Sequence, residues 1–314
     1  MPFWVQYVLF GLGLVLIIKG GDFFVDAASW IAEVSGIPKF IIGATIVSVA
    51  TTLPELIVSL IAAVSGKVDM AVGNAVGSVT ANTGMILAIS LFFTSVVIKR
   101  RDYIIKAVLL ALSAAILLIS GQGGSFAIWG SVVLMGIFAL FITENVISAK
   151  REMTGSDDRE KPDKKTIIIN IAKFVLGTAG IVWGSQLLVD SGSALALNWG
   201  ISEALISVTL VAIGTSLPEL VTTVTSVVKK QGSLSLGNIL GANIIDLTLI
   251  MPLCSLVSGK ALPLSTQALQ LDLPFCLGVI LVALTPLLIR QKTGKVQALC
   301  VFAVYCAYIA LLVI

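Results

Sequence analysis

The chain of 314 residues contains no histidine. Imidazole metal ligands and imidazole proton relays are therefore excluded, and carboxylates remain for either task. Charge is also scarce. Asp, Glu, Lys and Arg make up 12% of the residues, against roughly a quarter in a soluble domain. Cysteine is limited to Cys254, Cys276, Cys300 and Cys306. None is in CxxC spacing and all lie in or beside apolar segments, so they read as apolar filler.

Apolar sequence is abundant instead. Hydrophobic residues reach 57% and the mean hydropathy is +1.06. Several runs match the roughly 20 residues that a helix needs to cross a bilayer. They are continuously apolar rather than alternating, which indicates helices and not barrel strands. About ten spans are predicted: 3–21, 39–65, 70–98, 103–120, 125–148, 166–190, 203–228, 234–258, 268–289 and 297–314. The first has no basic residue ahead of it and no small-residue cleavage pattern, so it is expected to be a retained helix. The polar run "KREMTGSDDREKPDKK", residues 150–165, reads as a solvated linker between a first half, 1–149, and a second, 166–314.

The cations are distributed unevenly. With loops assigned alternately to two faces, one face collects sixteen Lys and Arg, including Lys39, Arg100, Arg101, Lys229, Lys230 and the six in the linker. The other face has Lys67 and Lys260, and Lys19 and Lys173 fall within spans. The positive-inside rule makes the rich face cytoplasmic. Both termini are then expected outside, in a multi-pass protein of a plasma (inner) membrane. The net charge of +3 is a topology signal, not a nucleic-acid footprint. The expected partners are the lipid bilayer and small ions; nothing in the sequence calls for a protein partner or a cofactor.

The chain repeats itself. "TTLPEL" (51–56) falls on "TSLPEL" (215–220), so Glu55 meets Glu219 at an offset of 219 − 55 = 164. At the same offset "GNAVG" (73–77) falls on "GNILG" (237–241), Gly20 on Gly184 and Asp26 on Asp190. The register needs no gap from about residue 12 to residue 86. Five spans per copy, an odd number, make the second copy enter from the opposite side. The expected fold is an all-α membrane protein with two inverted five-helix repeats and broken helices at the midplane, as in secondary transporters.

The conserved register carries chemistry. Pro54 and Pro218 each remove a helix hydrogen bond, which should free nearby carbonyls at membrane depth. Beside them stand Thr51, Thr52 and Glu55, and Thr215, Ser216 and Glu219. Hard cations such as Ca²⁺ take six to eight oxygens, and two glutamates would neutralise a divalent charge. Ionisable groups at this depth are costly and mark function by default. Gly73, Gly77, Gly237 and Gly241 favour close helix packing. Asn74, Ser78, Asn82, Asn238, Asn243 and Asp246 add polar atoms on or near that face, with Asn82 equivalent to Asp246.

"GTSLPEL" and the two GN-x-x-G stretches resemble the paired alpha-repeats of the cation/Ca²⁺ exchanger superfamily, and within it the sodium/calcium exchanger type. The likeness in motif order, repeat spacing and helix count covers nearly the whole chain. It implies a ten-helix inverted-repeat fold and alternating access by sliding of the first and sixth helices. It also implies ion coordination by Glu55, Glu219, Thr51, Thr215, Ser216, Ser78, Asn82 and Asp246, with the carbonyls of Ser48 and Ala212. Thr52 stands where the family usually has serine and keeps the hydroxyl.

Three positions depart from that pattern. Ala50 replaces a glycine, Val79 an asparagine and Ala242 a serine hydroxyl. The expected activity is antiport of Ca²⁺ against Na⁺, with proton- or potassium-coupled exchange as the alternative. A channel is disfavoured by inverted repeats around a midplane site. An intramembrane enzyme would need acids poised for water attack, and no familiar protease motif accompanies them.

Overall fold

The computed structural model describes residues 3–94, 100–153, 162–200, 214–259, 261–292 and 294–313. Among them are nine helices long and apolar enough to cross a membrane and a tenth, shorter apolar helix. In chain order they are α1 (Phe3–Ser35), α2 (Lys39–Val64), α3 (Val68–Phe93), α4 (Arg100–Gly121), α5 (Ile128–Met153) and α6 (Lys164–Asn198). After them come α7 (Leu217–Val228), α8 (Gly232–Ser258), α9 (Ala268–Arg290) and α10 (Lys295–Val313). The expected 203–228 span is described only from Gly214 onward, and most of the 150–165 linker lies outside the described residues.

α1 and α6 are longer than the hydropathy pattern suggests. They have 33 and 35 residues, about 50 Å at 1.5 Å per residue, against a hydrocarbon core of about 30 Å. The apolar run in α1 ends at Gly20-Gly21-Asp22, but the helix continues through Asp26 to Ser35. Helix length is set here by packing between the two long helices rather than by bilayer thickness.

Glycines make that packing possible. A Cβ on Gly13 would lie 3.0 Å from the Gly184 carbonyl oxygen, and one on Gly20 2.9 Å from that of Gly177. Gly13 and Gly177 are equivalent at the offset of 164, as are Gly20 and Gly184. Each glycine therefore meets the equivalent of the other, and position increases along α1 as it decreases along α6. The equivalent helices are antiparallel, which is the inversion that an odd number of spans per copy demands.

A second small-residue crossing lies at the centre. A Cβ on Gly43 of α2 would strike the Leu234 carbonyl of α8, and one on Gly237 would strike the Phe40 carbonyl. On Gly241 it would meet Ser48 Oγ at 2.5 Å. Gly73 and Gly77, the equivalents of Gly237 and Gly241, have nothing within 4 Å among the described residues. The partner equivalent to Gly43 is Ser207, outside those residues. α3 and α8 are the most buried helices, while α6 and α10 turn mostly apolar side chains outward.

A two-residue antiparallel strand pair, β1 (Ser125–Phe126) with β2 (Leu262–Pro263), ties the α4–α5 loop to the α8–α9 loop. Both loops therefore lie on one side. Trp4, Trp129 and Trp199, at helix ends on that same side, are exposed, as expected of an interfacial aromatic belt. All four cysteines are free thiols, with Cys254 and Cys276 buried.

Gly20→Ala should lower the thermal midpoint of the detergent-solubilised protein, because its Cβ meets backbone that must shift; about 1–3 kcal/mol is expected. Gly11→Ala, with nothing within 4 Å, should leave the midpoint unchanged or raise it. Equal effects of the two would remove the crossing as the cause.

Candidate functional site

The four helices α2, α3, α7 and α8 converge at the centre, and three of them carry irregular turns. α2 has a wide π-helical turn at Gly43–Val47 and then runs α-helical from Ser48 to Val64, through Pro54. The break expected at Pro54 thus lies about two turns earlier. A π turn admits an extra residue, and the wider ring there lets the following segment re-aim. The freed carbonyl reading also needs adjustment. The Ser48 carbonyl accepts the Thr52 hydroxyl at 2.7 Å and competes with Asn238 Oδ1 for the single Thr51 hydroxyl proton, at 3.3 Å against 3.2 Å, so one lone pair at most is left for an ion.

The second copy does break. Thr215 and Ser216 form a turn, and Pro218 stands in the first turn of α7. Proline is suited to that place because its missing N–H would have no partner there. Ala212, expected to offer a carbonyl, lies outside the described residues.

α3 and α8 each contain a π turn that starts at the paired polar positions, Asn82–Leu87 and Asp246–Ile250. No residue type along either helix announces these turns. Since π turns cluster at functional sites, their placement on equivalent residues is a second mark of the centre.

Burial there is complete. Glu55 is 1% exposed, Glu219 0% and Asp246 1%. Thr51, Thr52, Ser48, Ser78, Asn82 and Ser216 are buried too, and Thr215 is half-buried. Glu55 lies within electrostatic reach of both Glu219 and Asp246. Among the described residues neither oxygen of any of these three carboxyl groups finds a hydrogen-bond partner, nor do Ser78 Oγ, both Asn82 side-chain atoms and Ser216 Oγ. Buried polar atoms are almost always partnered. A concentration of orphaned oxygens with like charges is a donor set that fits a hard cation. Among the described residues no three His, Cys, Asp or Glu close on one point. A bound cation would therefore meet mainly hydroxyl, amide and carbonyl oxygens around the carboxylates.

Several neighbouring groups are fixed rather than orphaned. Thr51 Oγ1 donates to Asn238 Oδ1 at 3.2 Å, joining the two repeats. Asn243 Nδ2 donates to Thr83 Oγ1 at 2.8 Å, another link between them. The equivalent of this last pair is Val79 with Leu247, both buried in one apolar cluster. Val79, a departure from the resembled pattern, thus exchanges a hydrogen bond for apolar packing. Thr83 was not singled out by sequence reasoning, because its equivalent is apolar.

The long helices contact the centre unequally. α1 packs against α7, where a Cβ on Gly21 would lie 2.7 Å from Thr225 Oγ1. At the end of that seam Lys229 Nζ lies 2.7 Å from Asp26 Oδ1 and 3.2 Å from Asp22 Oδ1. Partial burial draws the Lys229 pKa down, but the two aspartates outweigh it and hold the ammonium above its ordinary value. The equivalent seam, between α6 and α2, holds a cavity of about 520 Å³ lined by Pro54, Ile57, Phe174, Thr178, Trp183 and Gln186. There Ser65 stands in place of Lys229 and Gln186 in place of Asp22. One seam is clasped and its counterpart is open.

The profile of the family described as "Sodium/calcium exchanger protein" matches residues 5–146 and 169–314. The chain belongs to that family. It is 30% identical to the sodium/calcium exchanger MaX1 of Methanosarcina acetivorans, with 92% of each chain covered. It is 34% identical to the inner membrane protein YrbG of Escherichia coli over 81% of each. Among solved structures, it superposes on the sodium-calcium exchanger NCX_Mj soaked with 2.5 mM Na⁺ and 10 mM Sr²⁺ with a TM-score of 0.84 and 28% identity, covering 98% of this chain and 99% of that one. The sodium/calcium exchanger family fits an integral multi-pass membrane protein with a cation-type centre.

Glu55→Gln and Glu219→Gln should each raise the thermal midpoint in chelator at pH 8, since each removes an uncompensated carboxylate; the gain should be on the order of 1–3 kcal/mol. Ca²⁺ should stabilise the parent protein and not the variants. Fluorescence-monitored unfolding in detergent reads both. Lower midpoints in chelator for both variants would mark the glutamates as structural partners instead.

Proposed function

We propose that the chain is a secondary-active antiporter that exchanges Ca²⁺ for Na⁺ by alternating access. Membership of the family supports cation/Ca²⁺ exchange; the coupling ion, the ligand set and the orientation are part of this reading. The observation that carries it is the burial of Glu55 and Glu219 near one another, with all four oxygens unpartnered. Two negative charges compensate one Ca²⁺, and replacement of that ion by Na⁺ keeps the carboxylates satisfied during return.

The ligand set in this reading is Glu55, Glu219, Thr51, Thr52, Thr215, Ser216, Ser78, Asn82 and Asp246, with the carbonyls of Ser48 and Ala212. The two halves are 1–149 and 166–314, the 150–165 linker is cytoplasmic, and both termini face outward in a plasma (inner) membrane. The clasped α1–α7 seam and the largely apolar cavity between α2 and α6 supply the asymmetry between equivalent seams on which alternating access by a sliding α1–α6 pair would draw.

A second reading, coupling to H⁺ or K⁺, has its own observation. Ser78 offers an unpartnered hydroxyl, whereas its equivalent, Ala242, is buried without one. Asp246 stands where the other copy has neutral Asn82. The second half-site thus lacks one neutral oxygen and has one more ionisable group, the place where a proton would be exchanged.

Ca²⁺ uptake into vesicles at fixed voltage, with Na⁺, K⁺ and H⁺ gradients imposed separately, distinguishes the readings. Na⁺ alone should drive uptake, and Glu219→Gln should abolish it in protein that still inserts and folds. Uptake that is independent of Na⁺ and collapses with the pH gradient would establish proton coupling. Ala242→Ser restores the missing hydroxyl and should lower the Na⁺ concentration for half-maximal exchange by about two- to tenfold, as about 0.5–1.5 kcal/mol of added oxygen contact would give.

A further inference from the structure

α7 has polar side chains beyond those assigned to the ion site. Ser216, Glu219, Thr223 and Ser226 recur at helical spacing along one face. Thr223 and Ser226 are fully buried, and neither hydroxyl makes a hydrogen bond. A buried helical hydroxyl ordinarily escapes this penalty by donating to the carbonyl four residues earlier. Thr222, beside them, does so to Pro218 at 2.7 Å. Across the contact with α8, Asn238 Nδ2 is also unpartnered.

The first repeat has the same frame, closed. Thr223, Ser226 and Asn238 correspond to Ser59, Ala62 and Asn74 at the offset of 164. Asn74 Nδ2 donates to Ser59 Oγ at 2.9 Å and to the Glu55 carbonyl at 3.2 Å, and Ala62 ends the row with a methyl group. Among the described residues, the second repeat instead leaves these three polar atoms buried and unpaired between Glu219 and the lysine-bearing end of α7.

The atom types identify the occupant. Thr223 Oγ1 and Ser226 Oγ can accept from or donate to water, or coordinate a monovalent cation. Asn238 Nδ2 only donates, so it repels a bare cation and suits a water oxygen. Among the described residues no carboxylate joins the row below Glu219, so a dehydrated divalent ion has no charge partner there. We propose that Thr223, Ser226 and Asn238 form a hydrated way-station through which the transported cation, still carrying water, passes between Glu219 and the Lys229 end of α7. The proposal rests on the exchanger reading above and adds a path to it: dehydration is completed at the glutamates, on one side only after transit of this row.

The test uses the full chain reconstituted in vesicles. Thr223→Val with Ser226→Ala should slow Ca²⁺ exchange at least tenfold while equilibrium Ca²⁺ binding stays within about threefold of the parent, because Glu55 and Glu219 are intact. Thr223→Ser, which keeps the hydroxyl, should exchange at the parent rate. In a background with Cys300 and Cys306 replaced by alanine, Ser226→Cys should react with a membrane-impermeant thiosulfonate from the Lys229 side and not from the opposite side. A parent exchange rate in the double variant, or no reaction of Ser226→Cys from the Lys229 side under Na⁺, Ca²⁺ or ion-free conditions, would overturn the way-station. Failure of the parent protein to exchange Ca²⁺ would instead overturn the exchanger reading, with the thiol reaction still reporting on the path.

Discussion

Two carboxylates from distant parts of the chain, held near one another in a low-dielectric interior without a hydrogen bond to either, are the constraint on which the rest of the structure depends. Glu55 and Glu219 cannot remain stably ionised there without a cation, because removal from water costs far more than their surroundings return. Among the described residues no arginine or lysine softens this penalty with an ion pair. The fold surrounds the glutamates with hydroxyls and amides that are themselves partly unpaired. In the exchanger reading proposed above, such a centre is most stable with an ion in it, and exchange of one ion for another is the way to empty and refill it.

The backbone arrangement serves that centre. Glycine at 43, 237 and 241 lets α2 and α8 approach until a methyl group would strike backbone or Ser48. The π turns at Asn82 and Asp246 and the turn ahead of Pro218 re-aim polar groups that a regular helix would send elsewhere. Farther out, Gly13, Gly20, Gly177 and Gly184 bind α1 and α6 into one antiparallel pair. In the reading proposed above this pair slides as a unit against the centre, to which α1 is clasped at its α7 seam. Lys229 with Asp22 and Asp26 holds that seam; in the counterpart Ser65 stands at the position of Lys229.

Much of this was legible in the sequence because a repeat is a strong constraint. The offset that aligns Glu55 with Glu219 also aligns Gly20 with Gly184, and the structure uses both pairs. The bilayer made helices the default, so ten apolar runs gave the helix order directly. Local geometry was less accessible. Pro54 is a conspicuous helix breaker, yet α2 passes through it and widens at Gly43–Val47, because the surrounding helices impose the position of the irregularity. The π turns at Asn82 and Asp246 carry no residue signature of their own. The α1 length was underestimated because Asp22 and Asp26, which follow its apolar run, are held by Lys229 at the end of α7. Thr223 and Ser226 were passed over because a hydroxyl in a membrane helix is ordinarily satisfied by its own backbone; only coordinates distinguish them from Thr222.

The central claim is that one divalent ion is held jointly by the two glutamates. Equilibrium dialysis with radioactive Ca²⁺ on purified protein, counting bound ions per chain in the parent, Glu55→Gln and Glu219→Gln, tests it most directly. The account predicts one Ca²⁺ per chain in the parent and loss of that ion in either single variant. Undiminished binding in either variant would contradict it, since a site that survives removal of one glutamate is not shared between the two.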